Sequence, residues 1–183
     1  MRLAASVALL LLATPAAADD SSRPTAGPQV GLSYMLSRPV TGESGGADHA
    51  LVVRGELMRP DVAVGIALEG GYAPGNDEET LRRFAILPMI GVYRAMDEVT
   101  LRADVSIGWQ LLDGRTRLGN VPVAGTEARG VRAELAIGAD APLSRPATLR
   151  ARVGLALDAV FPVQVDASTR LGPFVELGLV LAL

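Results

Sequence analysis

From Val99 to Leu111 the chain alternates without exception. Val99, Leu101, Ala103, Val105, Ile107, Trp109 and Leu111 fall on one parity, and Thr100, Arg102, Asp104, Ser106, Gly108 and Gln110 on the other. A helix would scatter both sets around its circumference, whereas a strand sends successive side chains to opposite faces. The segment therefore reads as a strand with one apolar and one polar face. Val131 to Ala139 reads the same way, with Val131, Ala133, Leu135 and Ile137 opposing Arg132, Glu134, Ala136 and Gly138. So does Leu149 to Phe161, and the last run sets Val175, Leu177, Leu179, Leu181 and Leu183 against Glu176, Gly178, Val180 and Ala182. Looser versions span 29–38, 49–58, 62–72 and 82–94. No helical period is sustained, so eight strands are expected.

The connections alternate in length. Arg59-Pro60-Asp61, Ala95 to Glu98, and Ala141 to Pro146 are tight turns built from Pro, Asp and Ser. Thr41 to Asp48, Ala73 to Thr80, Leu112 to Glu127 and Pro162 to Pro173 are longer and rich in Gly or Pro. Short connections at one end and long ones at the other describe an up-and-down meander. Pro88 falls inside the fourth strand and predicts a bulge or kink, because proline cannot donate to a ladder.

Ahead of the strands, Met1 to Ala18 has the form of an export signal. Arg2 gives a positive start, Leu3 to Ala13 is apolar, and Pro15-Ala16-Ala17-Ala18 supplies small residues for cleavage before Asp19. The organisation expected is a signal peptide at 1–18, a short polar lead at 19–28 and one β-barrel domain at 29–183. An exported chain without cysteine gets no help from disulfides, so packing or a membrane must stabilise it. The 17 basic residues are all Arg, against 20 acids, which makes a nucleic-acid partner unexpected.

Alternation leaves open which face meets solvent. A soluble calycin-like barrel turns its apolar face inward around a small apolar ligand, and an outer-membrane barrel turns it outward to lipid. Three features favour lipid. Several runs reach about ten residues, the length a tilted strand needs to cross the hydrocarbon layer. The polar face mixes small residues with Arg54, Arg102, Arg132, Arg150 and Arg152 and with Glu56, Glu69, Asp104, Glu134, Asp158 and Glu176, which suits a narrow lumen filled by paired ions. Tyr72, Phe84, Trp109 and Phe161 share the apolar parity and map to the long-loop end, as half of an interfacial aromatic girdle would. Phe174 lies at the same end with the other parity unless Pro173 marks a bulge, and at the opposite end only Tyr93 is available.

On these residues the chain resembles the small eight-stranded outer-membrane barrels, the architecture of the OmpA transmembrane domain and of OmpX-like and OmpW-like proteins. The resemblance runs from about Gln29 to Leu183 and is one of pattern. It implies an all-β, eight-stranded antiparallel up-and-down transmembrane β-barrel in a bacterial outer membrane, with outer-membrane lipids and the barrel-assembly machinery as partners. The final alternating run is similar to the C-terminal signal that this machinery reads, with Leu183 standing where the family usually ends on an aromatic residue.

Chemistry-bearing residues are few. His49 is the one histidine, and with a serine such as Ser37, Ser44 or Ser106 it could act as base and nucleophile, as in outer-membrane lipid-modifying enzymes, although no spacing supports the pair. Asn76-Asp77-Glu78-Glu79 is acidic but lacks a calcium-loop spacing, and Gly42, Gly45 and Gly46 belong to no phosphate loop. Neither a metal site, a cofactor nor catalysis is expected. The expected role is structural or surface-interactive, with Leu112 to Glu127 as the contact loop toward a partner that the sequence does not name.

Overall fold

The computed structural model describes residues 26–38, 40, 47–74, 79–96, 98–118, 121–123, 127–144, 146–162 and 168–183. The export signal, Ser44 and Asn76-Asp77-Glu78 lie outside them. Among the described residues nine strands form: β1 (Gly27–Ser37), β2 (Asp48–Arg59), β3 (Val62–Pro74), β4 (Glu79–Met96), β5 (Val99–Leu118), β6 (Val121–Val123), β7 (Glu127–Pro142), β8 (Ala147–Pro162) and β9 (Ser168–Ala182). Every pairing is antiparallel. All strands but β6 close a ring, because β9 pairs back onto β1 and β4 pairs with β5.

The ring closes with a stagger. Partners run from Gly27 to Met58, Ala63, Gly91, Asp104, Ala136, Gly154 and Phe174, and return to β1 at Ser37, ten residues above the start. Ten residues of shear over eight strands tilt each strand by about 40° from the barrel axis, given the usual rise and strand spacing.

The strands climb further than the sequence suggests. β5 continues to Leu118 and pairs there with β6, so the expected contact loop from Leu112 is largely a hairpin, and Leu112 itself points into the lumen. The loops at 73–80 and 162–173 shorten likewise, since β3 runs to Pro74, β4 starts at Glu79 and β9 starts at Ser168. Pairing onto a neighbouring strand satisfies backbone groups regardless of side-chain type, which is why Gly- and Pro-rich stretches join the ladder here.

No bulge forms at Pro88. β4 keeps one register with β5 on both sides of it, and only Leu87 and Pro88 lack partners there, while Ile66 pairs with Pro88 on the β3 side. The interruption faces Gly108, where a side chain would run into the Ile86 carbonyl. The seam thus closes tightly around the missing donor rather than bulging. At the β2–β3 turn, Arg59 pairs with Val62 and leaves only Pro60 and Asp61 outside the ladder. Proline sets its own φ, and Asp61 takes the left-handed φ of 66° that aspartate tolerates.

Candidate functional site

The barrel wall is inverted relative to a soluble protein. Trp109 is 72% exposed and Leu177 58%, whereas Arg132 and Glu69 are fully buried. Leu101, Val105, Leu155 and Leu179, which a soluble ligand-carrying barrel would turn inward, all face out. Along β5 the outward apolar residues run from Val99 to Leu111, a height of about 30 Å at that tilt, enough to span the apolar band of a transmembrane barrel.

The lumen holds its charges in two layers. Nearer the tight turns, Arg54, Arg102, Arg150 and Arg152 meet Glu56, Asp104, Asp140 and Glu176, four cations against four anions. Arg102 grips Asp104 through Nη2 at 2.7 Å and Nε at 2.9 Å and reaches Glu56 at 3.2 Å. Arg150 donates to Asp140 at 2.8 and 2.9 Å and also to Glu56. Arg152 bridges Asp104 at 3.1 Å and Glu176 at 2.7 Å, and Arg54 binds Glu176 and the Ser33 hydroxyl. Toward the loops, Arg132 holds Glu134 and Asp158, each at 2.8 Å, and stands 3.1 Å from Glu69. Arg83 pairs with Asp48 at 3.3 Å.

All eleven lumen charges expected from the sequence are thus buried and brought together. Asp48, Arg83 and Asp140 belong with them and were not among the expected charges: Asp48 and Asp140 lie one residue beyond the expected runs with their parity continued, and Arg83 lies inside the loosely alternating fourth run, where its inward parity is shared by apolar residues such as Ala85 and Leu87. The lumen also carries an apolar cluster at mid-height, built from Met35, Val52, Leu87 and Phe174 with five alanines. Alternation in β1, β2 and β4 is loose for this reason, since both faces there contain apolar residues.

Phe174 belongs inside. β9 stays in register with β1 and β8 through Pro173, so no bulge turns the ring outward. It packs under Arg152, whose guanidinium lies 5.8 Å from the ring centroid, and against Gly154, where a Cβ would come within 2.8 Å of the ring. Tyr93 is half-buried on the inward parity, and its hydroxyl donates to the Arg59 carbonyl at the β2–β3 turn. Tyr72, Phe84, Trp109 and Phe161 all face outward at the long-loop end, and Tyr34 joins them.

His49 is separated from Ser37 and Ser106, the two of its three candidate serines that lie among the described residues. It sits on the outer wall with its Nδ1 at the Tyr34 hydroxyl and its ring stacked on Tyr72 at 6.2 Å. Ser37 and Ser106 point into the lumen, where Ser106 lies 3.5 Å from Glu134. The wall stands between His49 and these two serines. Among the described residues no cluster of His, Cys, Asp and Glu is arranged to hold a metal ion.

No family model and no curated protein matches the chain. Solved structures do. Neisserial surface protein A aligns with a TM-score of 0.62 at 8% identity, over 85% of this chain and 96% of that one. Ail, the attachment invasion locus protein of Yersinia pestis, gives 0.54 at 9% identity, over 86% and 99%. The outer membrane enzyme PagL gives 0.53 at 12% identity, over 80% and 97%. The fold is that of the small eight-stranded outer-membrane β-barrels. Within this fold, identities this low leave the lumen charges and the outward aromatics as features to be read from this chain itself.

Proposed function

We propose that this chain is an outer-membrane barrel of a bacterial envelope with a structural or surface-contact role, its lumen plugged by the Arg/acid layers and the apolar cluster between them. The observation that carries the reading is the inverted wall, apolar outward over about 30 Å and ion-paired inward. Only a lipid solvent makes both faces favourable, because water would leave a continuous apolar belt exposed. The aromatic side chains at the loop end form a single girdle there, and outer-membrane lipids are the immediate partners. Barrel-assembly machinery would insert the chain through the β9 run ending at Leu183. The non-catalytic role is supported by the placement of His49, which shares its outward face with Tyr34 and Tyr72 while Ser37 and Ser106 face the lumen.

The test is fractionation of cells expressing the full precursor, followed by gel migration of the extracted protein with and without boiling. Recovery in the outer membrane with a heat-dependent shift is expected of a closed barrel. Recovery in the soluble periplasm would overturn the reading. A lipid-acyl product appearing in membranes that contain the wild-type chain, and missing with His49→Ala, would replace the structural role with an enzymatic one.

A further inference from the structure

On the outer wall at the loop end, four neighbouring strands place a polar and aromatic patch at the upper margin of the apolar band. Tyr72 is the direct cross-strand partner of His49 on one side and of Arg82 on the other. On β1, Tyr34 reaches His49 through its hydroxyl, and Leu36 is His49's register partner. Arg38 follows on the same face, because its N–H bonds the Pro173 carbonyl at 3.1 Å and extends the β1–β9 register past Ser37. Tyr34 and Tyr72 are each about half exposed, at 48% and 47%, and both arginines are exposed. Neither arginine forms an ion pair among the described residues, although Asp113 stands opposite Arg82 in the ladder.

This arrangement differs from a plain aromatic girdle. Its rings are joined by a hydrogen bond and a stack, so they present a fixed platform, and two exposed guanidinium forks, neither in an ion pair among the described residues, stand at its two edges. A guanidinium fork matches phosphate oxygens bidentately, and aromatic faces at the headgroup level take the weakly polar face of a sugar ring. We propose that Arg38, Tyr34, His49, Tyr72 and Arg82 form a seat for the phosphorylated sugar headgroup of a glycolipid in the leaflet at the loop end, and this rests on the outer-membrane reading above. The acyl chains of that lipid continue down the band over Leu32, Leu51 and Leu68, which lie below Tyr34, His49 and Tyr72 on the same face. Ion pairs at this depth, partly shielded from water, are stronger than those on an open surface.

The test uses the full chain reconstituted in phosphatidylcholine nanodiscs that carry a small fraction of one of three probes. These are an acylated glucosamine disaccharide bearing phosphates, the same lipid dephosphorylated, and phosphatidylglycerol. Lipid retained per barrel after detergent extraction and gel filtration is measured by mass spectrometry. The wild type should retain the phosphorylated glycolipid about tenfold over its dephosphorylated form, a difference of about 1.4 kcal/mol. The double variant Arg38→Gln/Arg82→Gln should lose that preference, and His49→Ala/Tyr72→Ala should lose the preference over phosphatidylglycerol. Arg129→Gln, an outward arginine on the far wall beside Phe161, should change neither. Equal retention by the double variant, an equal drop with Arg129→Gln, or equal uptake of phosphatidylglycerol by the wild type would each overturn the proposal. Heat-dependent gel migration of every sample keeps a failed barrel distinct from a failed seat.

Discussion

Arg102 is the residue on which the lower lumen layer turns. Its side chain is almost fully buried and faces Asp104, Glu56 and Asp140 from one strand. Removing one partner of a buried, hydrogen-bonded pair strands the others, at about 3–5 kcal/mol. Arg102→Ala should therefore lower the unfolding free energy by that amount, measured by denaturant titration of the refolded barrel in detergent micelles. A loss below about 1 kcal/mol, the range of solvent-exposed ion pairs, would mean that water reaches the layer. Gly154 makes a second test at this scale. Its missing side chain is the space that the Phe174 ring occupies, so Gly154→Ala should destabilise by about 1–3 kcal/mol, the usual cost of overpacking. An unchanged heat-shift temperature would show that Phe174 lies elsewhere. Parity alone made Arg102 legible as inward. It also made Phe174 legible as inward, and the bulge at Pro173 that would have turned it outward does not form.

Depth in the wall is a property of the strand, and it orders a series of substitutions. Val105 lies halfway along the outward apolar run of β5, and Leu181 lies near the tight-turn end of β9 beside Ala147. An arginine on the lipid face costs about 2–4 kcal/mol at the bilayer midplane and about 0–1 near the interfaces. Val105→Arg should therefore cost several times more than Leu181→Arg when both are folded into lipid vesicles and unfolded with guanidinium. Equal costs would argue that the apolar wall does not meet a bilayer. The strands themselves were legible wherever burial differs between the two faces, as in β5, β7 and β8. The sequence signal faded where the lumen turns apolar around Met35 and Leu87, which also hid Arg83 among apolar neighbours of its own parity, and at strand ends such as Asp48 and Asp140, where the ladder continues past the expected run. Pro88 shows the same limit. A missing donor predicts a bulge, but the β4–β5 register is the same on both sides of Pro88, with only Leu87 and Pro88 unpaired and the backbones close at Gly108.

At the scale of the whole molecule, the question is whether the lumen passes anything. A water-filled path would need a gap at every height, and eight strands enclose barely enough space for their own side chains. Here the charged layers are bridged across the lumen from β2 to β5, β8 and β9, and the space between them is closed by Met35, Val52, Leu87 and Phe174, each at most 2% exposed. An ion crossing that collar would shed its hydration without meeting a partner, which is costly in a low dielectric. The wild type in planar bilayers is therefore expected to show no steady conductance. Opening the collar should matter more than breaking a charge pair, because freed arginines and acids still fill the lower layer whereas a missing ring leaves a void. Phe174→Ala combined with Met35→Ala should thus produce discrete conducting events in a barrel that retains its heat-dependent migration, and Arg54→Ala should produce far fewer. A steady wild-type conductance of the same size as that of the double variant would mean that the layers rearrange in the membrane, and the plugged lumen would have to be given up.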